Sequence, residues 1–276
     1  MAIRRRILAM GGHDFDRRPG NQALCDEIIS LSGEARPRIC LLPTAGGDAE
    51  EQIGRFRRAF GERGAQPSDI SLFRLGSHPV EFRSHLLAQD VIYVSGGSMV
   101  NLLAIWRAHK IDDVLRDAYE AGVMIAGQSA GAMCWFEAGV TKSSGMPQAS
   151  RGLGLLKGSA SVHYHLEPER GVLYREAVAS GMLPAGYGLD AQAGVLFEEE
   201  QMVRAYSARE GAGVWRVAAV DGEADEAPVE AEELRDVEAA IGDIPAEIIE
   251  LRQTLAAQTA LRRGGRRRMG SGPGRL

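Results

Sequence analysis

The stretch Val123-Met124-Ile125-Ala126-Gly127-Gln128-Ser129-Ala130-Gly131-Ala132 constrains this chain more than any other. Its first four residues read as a buried strand. Gly127-Gln128-Ser129-Ala130-Gly131 then fits G-x-S-x-G, and a helix-compatible run over 130–136 follows. A turn this sharp between strand and helix accepts only small neighbours. It holds its serine in a strained conformation that lifts the hydroxyl above the sheet. Ser129 is therefore the candidate nucleophile, and the Ala130 backbone N–H at the head of the next helix is a candidate oxyanion donor.

The surrounding sequence has a βα rhythm. Short apolar runs at 7–10, 39–42, 91–94 and 123–126 read as strands, and 49–63 and 99–121 have helical spacing. Runs apolar on both faces suit a parallel sheet covered by helices. Each strand ends in small residues: Gly11-Gly12, Pro43-Thr44-Ala45-Gly46-Gly47, Gly96-Gly97 and the serine turn. Ligands of open α/β sheets bind at these carboxyl ends, so the loops are expected to share one crevice, with Gly97 supplying a second oxyanion donor. After residue 185 short alternating segments at 194–197, 202–206 and 214–217 read as an antiparallel edge. The expected organisation is a catalytic domain over 1–222 and an appendage over 223–276. The appendage reads as an acidic linker, a stretch of helical periodicity and a basic tail with no expected order.

A net charge of −5 with 25% charged residues points to neither nucleic acid nor membrane as the main partner, the basic tail being a weak exception. Cys25, Cys40 and Cys134 are odd in number and lack metal-ligand spacing, so they read as reduced core residues. No run approaches the roughly 18 apolar residues of a membrane span, and the apolar stretch behind the basic start is too short for a secretory signal. Cytoplasmic residence, no metal and no cofactor are expected, with a homo-oligomer left open.

A serine hydroxyl is a weak nucleophile without a base. His163 and His165, after the small-residue segment Gly158-Ser159-Ala160-Ser161-Val162, are the candidates, and strand alternation puts both on one side. Glu137 is the only acid between Ser129 and His165, and it is expected two turns along the nucleophile's own helix. That is a poor match to the ordinary α/β-hydrolase order of serine, acid, histidine.

Together, Met10-Gly11-Gly12, Leu42-Pro43-Thr44-Ala45, Tyr93-Val94-Ser95-Gly96-Gly97, Asn101-Leu102-Leu103, the serine turn, Gly152-Leu153-Gly154-Leu155-Leu156, His163-Tyr164 and Glu167-Pro168-Glu169-Arg170 carry a resemblance. Over about 6–220 the chain resembles the dipeptidase E (α-aspartyl dipeptidase) and cyanophycinase family of serine peptidases. The resemblance implies a three-layer, mostly parallel flavodoxin-like sheet related to class I glutamine amidotransferases, with helices on both faces. It also implies a metal-free site that hydrolyses short aspartyl or isoaspartyl peptides, with His163 rather than His165 as general base. Arg170 is then the candidate cation for the substrate carboxylate, and Gly96, Ser98 and Gln128 are further substrate contacts.

The chain departs from the family pattern in three places. The segment 138–162 has no Asp or Glu to orient the imidazole, with Lys142 and Ser144 near the expected position, His165 stands where Asp is expected, and Ser98 replaces the usual Asn. Asp190 or Glu137 is then the candidate third member. The alternative is a degenerate member that binds an acidic peptide or partner in the same cleft.

Overall fold

The computed structural model describes residues 3–16 and 20–235. In chain order its elements are β1 (Arg6–Met10), α1 (Asn21–Ser32), β2 (Arg38–Leu42), α2 (Glu50–Gly61), β3 (Gln66–Asp69), α3 (Phe82–Leu87), β4 (Val91–Val94), α4 (Met99–His109), α5 (Ile111–Glu120), β5 (Met124–Gln128) and α6 (Ala130–Met133). There follow β6 (Phe136–Thr141), β7 (Gln148–Arg151), β8 (Leu156–Val162), α7 (Pro168–Ala179), β9 (Gly186–Leu189), β10 (Ala193–Glu198), β11 (Gln201–Ser207), β12 (Val214–Val220), β13 (Glu223–Val229) and β14 (Glu232–Glu233).

These strands form two mixed sheets. One has eight strands in the order β14-β11-β10-β1-β5-β4-β2-β3, the other six in the order β13-β12-β9-β8-β6-β7. In the larger sheet β1, β5, β4, β2 and β3 run parallel, and β10 is antiparallel to β1. Alternate residues of its strands pack into separate cores, as the period of two requires. Leu8, Met10, Leu41, Tyr93 and Ala126 meet Leu24, Ile28, Phe56 and Phe60 of α1 and α2. Ile7, Ala9, Leu42, Val94 and Ile125 meet Leu103, Trp106 and Leu115 of α4 and α5, together with Phe136, Val162 and Leu189 of the second sheet. The far face of that second sheet is covered by Tyr174, Ala177 and Val178 of α7.

The expectation of a single three-layer sheet with a small edge is thus corrected. The alternating segments after residue 185 divide between the two sheets, with β10 and β11 in one and β12 in the other. The middle of the second sheet is hard to read from sequence because β6, β8 and β9 are rich in Gly, Ala and Ser, which have little strand preference of their own. Ala138-Gly139, Ser159-Ala160-Ser161 and Gly186 lie where backbones meet closely; a Cβ at Gly139 or Gly186 would run into the carbonyls of Ala160 or Ser159. The acidic stretch expected as a linker is β13, paired along its length with β12, and the compact unit reaches Leu234. The expected helical stretch and basic tail lie, from residue 236 on, outside the described residues.

Candidate active site

Because β1, β5, β4 and β2 are parallel neighbours, the loops after them open on one edge of the sheet. Ser129 follows β5 with φ 54 and ψ −116, and its N–H donates to the Met10 carbonyl of β1 at 3.0 Å. Its own carbonyl accepts from Ala132 and Met133, both at 3.0 Å, which starts α6. The small neighbours are required by contact, since a Cβ at Gly131 would strike the Val94 carbonyl of β4. The helix expected over 130–136 is a single turn ending at Met133. Glu137 therefore lies in β6, not along the nucleophile's helix.

His163 directly follows β8, and its Nε2 lies 3.0 Å from Ser129 Oγ. The backbone turns there into the left-handed region, φ 51, so strand alternation no longer governs the pair of histidines. His165 instead meets Asp190. Its N–H donates to Oδ1 at 3.0 Å, and its Nδ1 lies 3.2 and 3.3 Å from the two carboxylate oxygens. The expectation that both histidines face one side is corrected by that turn.

For Nε2 to accept the serine proton, the imidazole proton must sit on Nδ1. Gly12 closes that side of the ring, since a Cβ there would come within 2.7 Å of Cε1 and 2.9 Å of Nδ1. Among the described residues no side chain is hydrogen-bonded to Nδ1. Loss of water on burial holds the imidazole below its ordinary value of 6.5. The Arg170 charge adds to that effect, and the Glu167 carboxylate opposes it.

The other candidates are dispersed in role. Gly97, exposed at φ 144, packs so tightly on the Ala45 carbonyl that no Cβ fits; Ser98 accepts from Asn101 N at 3.2 Å and caps α4. Gln128 is buried, accepts from His13 N at 3.4 Å and lies over Gly96. Neither candidate third acid bonds to His163 among the described residues: Asp190 is engaged by His165 and Gly213, and Glu137 accepts from Gly158 N at 2.8 Å. Arg170 is 6% exposed, donating to the Val162 carbonyl at 3.0 Å and ion-paired with Glu167 at 3.4 Å.

Two participants were not read from sequence. Glu167, which also meets Lys142 at 3.7 Å, follows His163 by one turn, and its N–H donates to the His163 carbonyl at 2.9 Å. Gly12 is half of the Gly11-Gly12 signal, which marks a close approach without saying to what. Among the described residues no three His, Cys, Asp or Glu side chains converge as a metal set. The three cysteines are buried and unpaired with one another, and burial pushes the Cys40 thiol up to about 12.

Comparison with known proteins adds the following. The sequence matches Peptidase family S51 over residues 7–205. It is 40% identical over 225 residues to "Uncharacterized peptidase YgaJ" of Bacillus subtilis, covering 82% of this chain and 97% of that protein. It is 25% identical over 210 residues to "Cyanophycinase" of Trichormus variabilis, covering 72% of this chain and 70% of that one. Its fold is similar to the crystal structure of a peptidase from an acI-B1 Actinobacterium, with a TM-score of 0.62 and 17% identity over 83% of this chain and 95% of the other.

Proposed function

The chain belongs to peptidase family S51 and is a peptidase; from that premise we propose that it cleaves by a serine mechanism, with Ser129 as nucleophile and His163 as general base. The observation that carries the reading is the 3.0 Å contact between His163 Nε2 and Ser129 Oγ, both on strained backbone at the open edge of the sheet. His163 takes the proton as Oγ attacks the scissile carbonyl, the N–H groups of Gly97 and Ala130 face the oxyanion, and the imidazolium protonates the leaving amine. Water then cleaves the acyl-enzyme. The first N–H groups of a helix have no partner within it, which is why Ala130 is free to serve.

The substrate class is a short peptide with an aspartyl or isoaspartyl residue, handled in the cytoplasm without metal or cofactor. What supports it is the pair of cations, Arg170 and Lys142, that meet Glu167 one turn after His163. Gly96, Ser98 and Gln128 form the wall beside the nucleophile. No described helix is long and apolar enough to cross a membrane. The catalytic region, expected over 1–222, extends in this reading to include β13, which pairs along its length with β12. A homo-oligomer is compatible with this arrangement.

The test is hydrolysis of Asp-Leu and isoaspartyl-Leu by the protein beside its Ser129→Ala variant. Cleavage of one dipeptide, lost in the variant, is the expected result, and equal cleavage by both proteins contradicts the mechanism. That no side chain among the described residues bonds to His163 Nδ1 favours a second reading, a degenerate member that binds an acidic peptide in the same cleft. That reading predicts dipeptide binding without turnover.

A further inference from the structure

Among the described residues no carboxylate bonds to the ring of the general base, yet its neighbour His165 has two within reach. Asp190, with its side chain only 5% exposed, takes the His165 backbone N–H, faces His165 Nδ1 with both oxygens, and accepts from Gly213 N at 3.2 Å. On the other edge of the imidazole, Nε2 lies 3.8 Å from Glu226 of β13. Trp215 of β12 stands edge-on to the ring at 4.2 Å, and Tyr164 at 4.9 Å. Glu226 is itself anchored by the Tyr164 hydroxyl at 2.5 Å and by Arg175 at 3.3 Å. The corner 163–165 is thus tied to β9 by Tyr164 N on the Leu189 carbonyl at 3.2 Å, and to the acids on either side of His165.

A non-glycine residue at φ 51 is strained and persists only where its surroundings over-determine it. Resting on the reading of Ser129 and His163 given above, we infer that His165 is a positioning residue: held between Asp190 and Glu226, it fixes the backbone corner that presents His163 Nε2 to Ser129. The orienting acid acts on the backbone beside the base, through the second histidine, instead of on the base's ring. Among the described residues His165 has no hydrogen bond to Ser129. Its side chain is 49% exposed, so its replacement opens no cavity in the core.

The two amides that mimic parts of imidazole separate the contacts. Asn places an NH2 where Nδ1 stands, toward Asp190; Gln places one where Nε2 stands, toward Glu226. The readout is the rate at which a small fluorophosphonate labels Ser129, followed from pH 4 to 8 in the full-length protein, His165→Ala, His165→Asn and His165→Gln, with Ser129→Ala as control.

A base displaced by a fraction of an ångström loses on the order of tenfold in rate. His165→Ala and His165→Gln are expected to label about tenfold more slowly. Their pH midpoints should move up toward 6.5, because a loosened His163 regains water while Arg170 and Glu167, the charged groups facing it, stay in place. His165→Asn is expected to recover the rate to within about threefold. Wild-type rate and midpoint in His165→Ala, or equal loss in the Asn and Gln variants, overturn the positioning role while leaving the base reading intact. No labelling of the wild type overturns both. Melting temperatures check each variant's fold, and Asn against Gln decides the question even if the alanine variant unfolds.

Discussion

At Ser129 and His163 the backbone holds φ of 54 and 51, conformations that side chains rarely adopt, and the two strained corners bring Oγ and Nε2 together. A base must be neutral to work, so hydrolysis should rise with pH through the His163 titration, and burial puts that rise below 6.5. A kcat profile whose acid limb lies above 6.5 would contradict the burial argument. Gly12 guards the other side of the ring. Gly12→Ala puts a methyl only 2.7 and 2.9 Å from His163 Cε1 and Nδ1, so the ring must shift. It should lower kcat by about tenfold or more with little change in KM. An unchanged kcat would mean that the imidazole does not need its present position.

At the scale of elements, the nucleophile turn depends on contact between β5, α6 and β4. Gly131→Ala drives a Cβ into the Val94 and Ser95 carbonyls, so it should destabilise by about 1–3 kcal/mol and disturb Ser129 as well. Denaturant midpoints and peptidase rates should fall together. This turn was legible in sequence because a buried strand, small residues and a serine coincide at one place. Four of the larger sheet's five parallel strands were equally plain, since continuous apolar runs such as Val91-Ile92-Tyr93-Val94 leave few alternatives, whereas β3, Gln-Pro-Ser-Asp, carries no such run. What the sequence hid was the separateness of the second sheet, since 158–162 and 214–217 read as strands but not as members of a sheet of their own. Its strands owe their form to close backbone packing, as at Gly186 on Ser159, and spacing does not encode that. The histidine corner was hidden for a related reason. Alternation holds only while the strand continues, and β8 stops at Val162, one residue before the base.

At the scale of the whole molecule a second buried histidine matters, His13, whose backbone N–H donates to Gln128, the residue before Ser129. His13 is buried, with Nδ1 2.8 Å from the Tyr93 hydroxyl and Nε2 3.0 Å from the Asn21 carbonyl, and burial lowers it to about 4. Between its unfolded value of 6.5 and about 4, the unfolded chain binds the extra proton. Stability is therefore fully present above that window and falls as pH drops through it, by on the order of 3 kcal/mol. Urea unfolding from pH 7 to 4 should show that slope, and His13→Gln should flatten it. The acidic β13 also belongs to the working unit, because Glu226 meets the histidine corner. Truncation after Arg235 should leave the peptidase rate near that of the full chain, whereas truncation after Gly222 should abolish it. Equal rates in the two would separate β13 from the site.

The central claim is that Ser129 is made nucleophilic by His163, and covalent capture tests it most directly. The protein would be treated with a fluorophosphonate near pH 7 and the adduct mapped by peptide mass spectrometry, alongside Ser129→Ala and His163→Ala. A single adduct on Ser129, absent from the first variant and slowed by several orders of magnitude in the second, is the predicted result. An adduct on any other residue, or labelling of Ser129 that is indifferent to His163, would contradict the account.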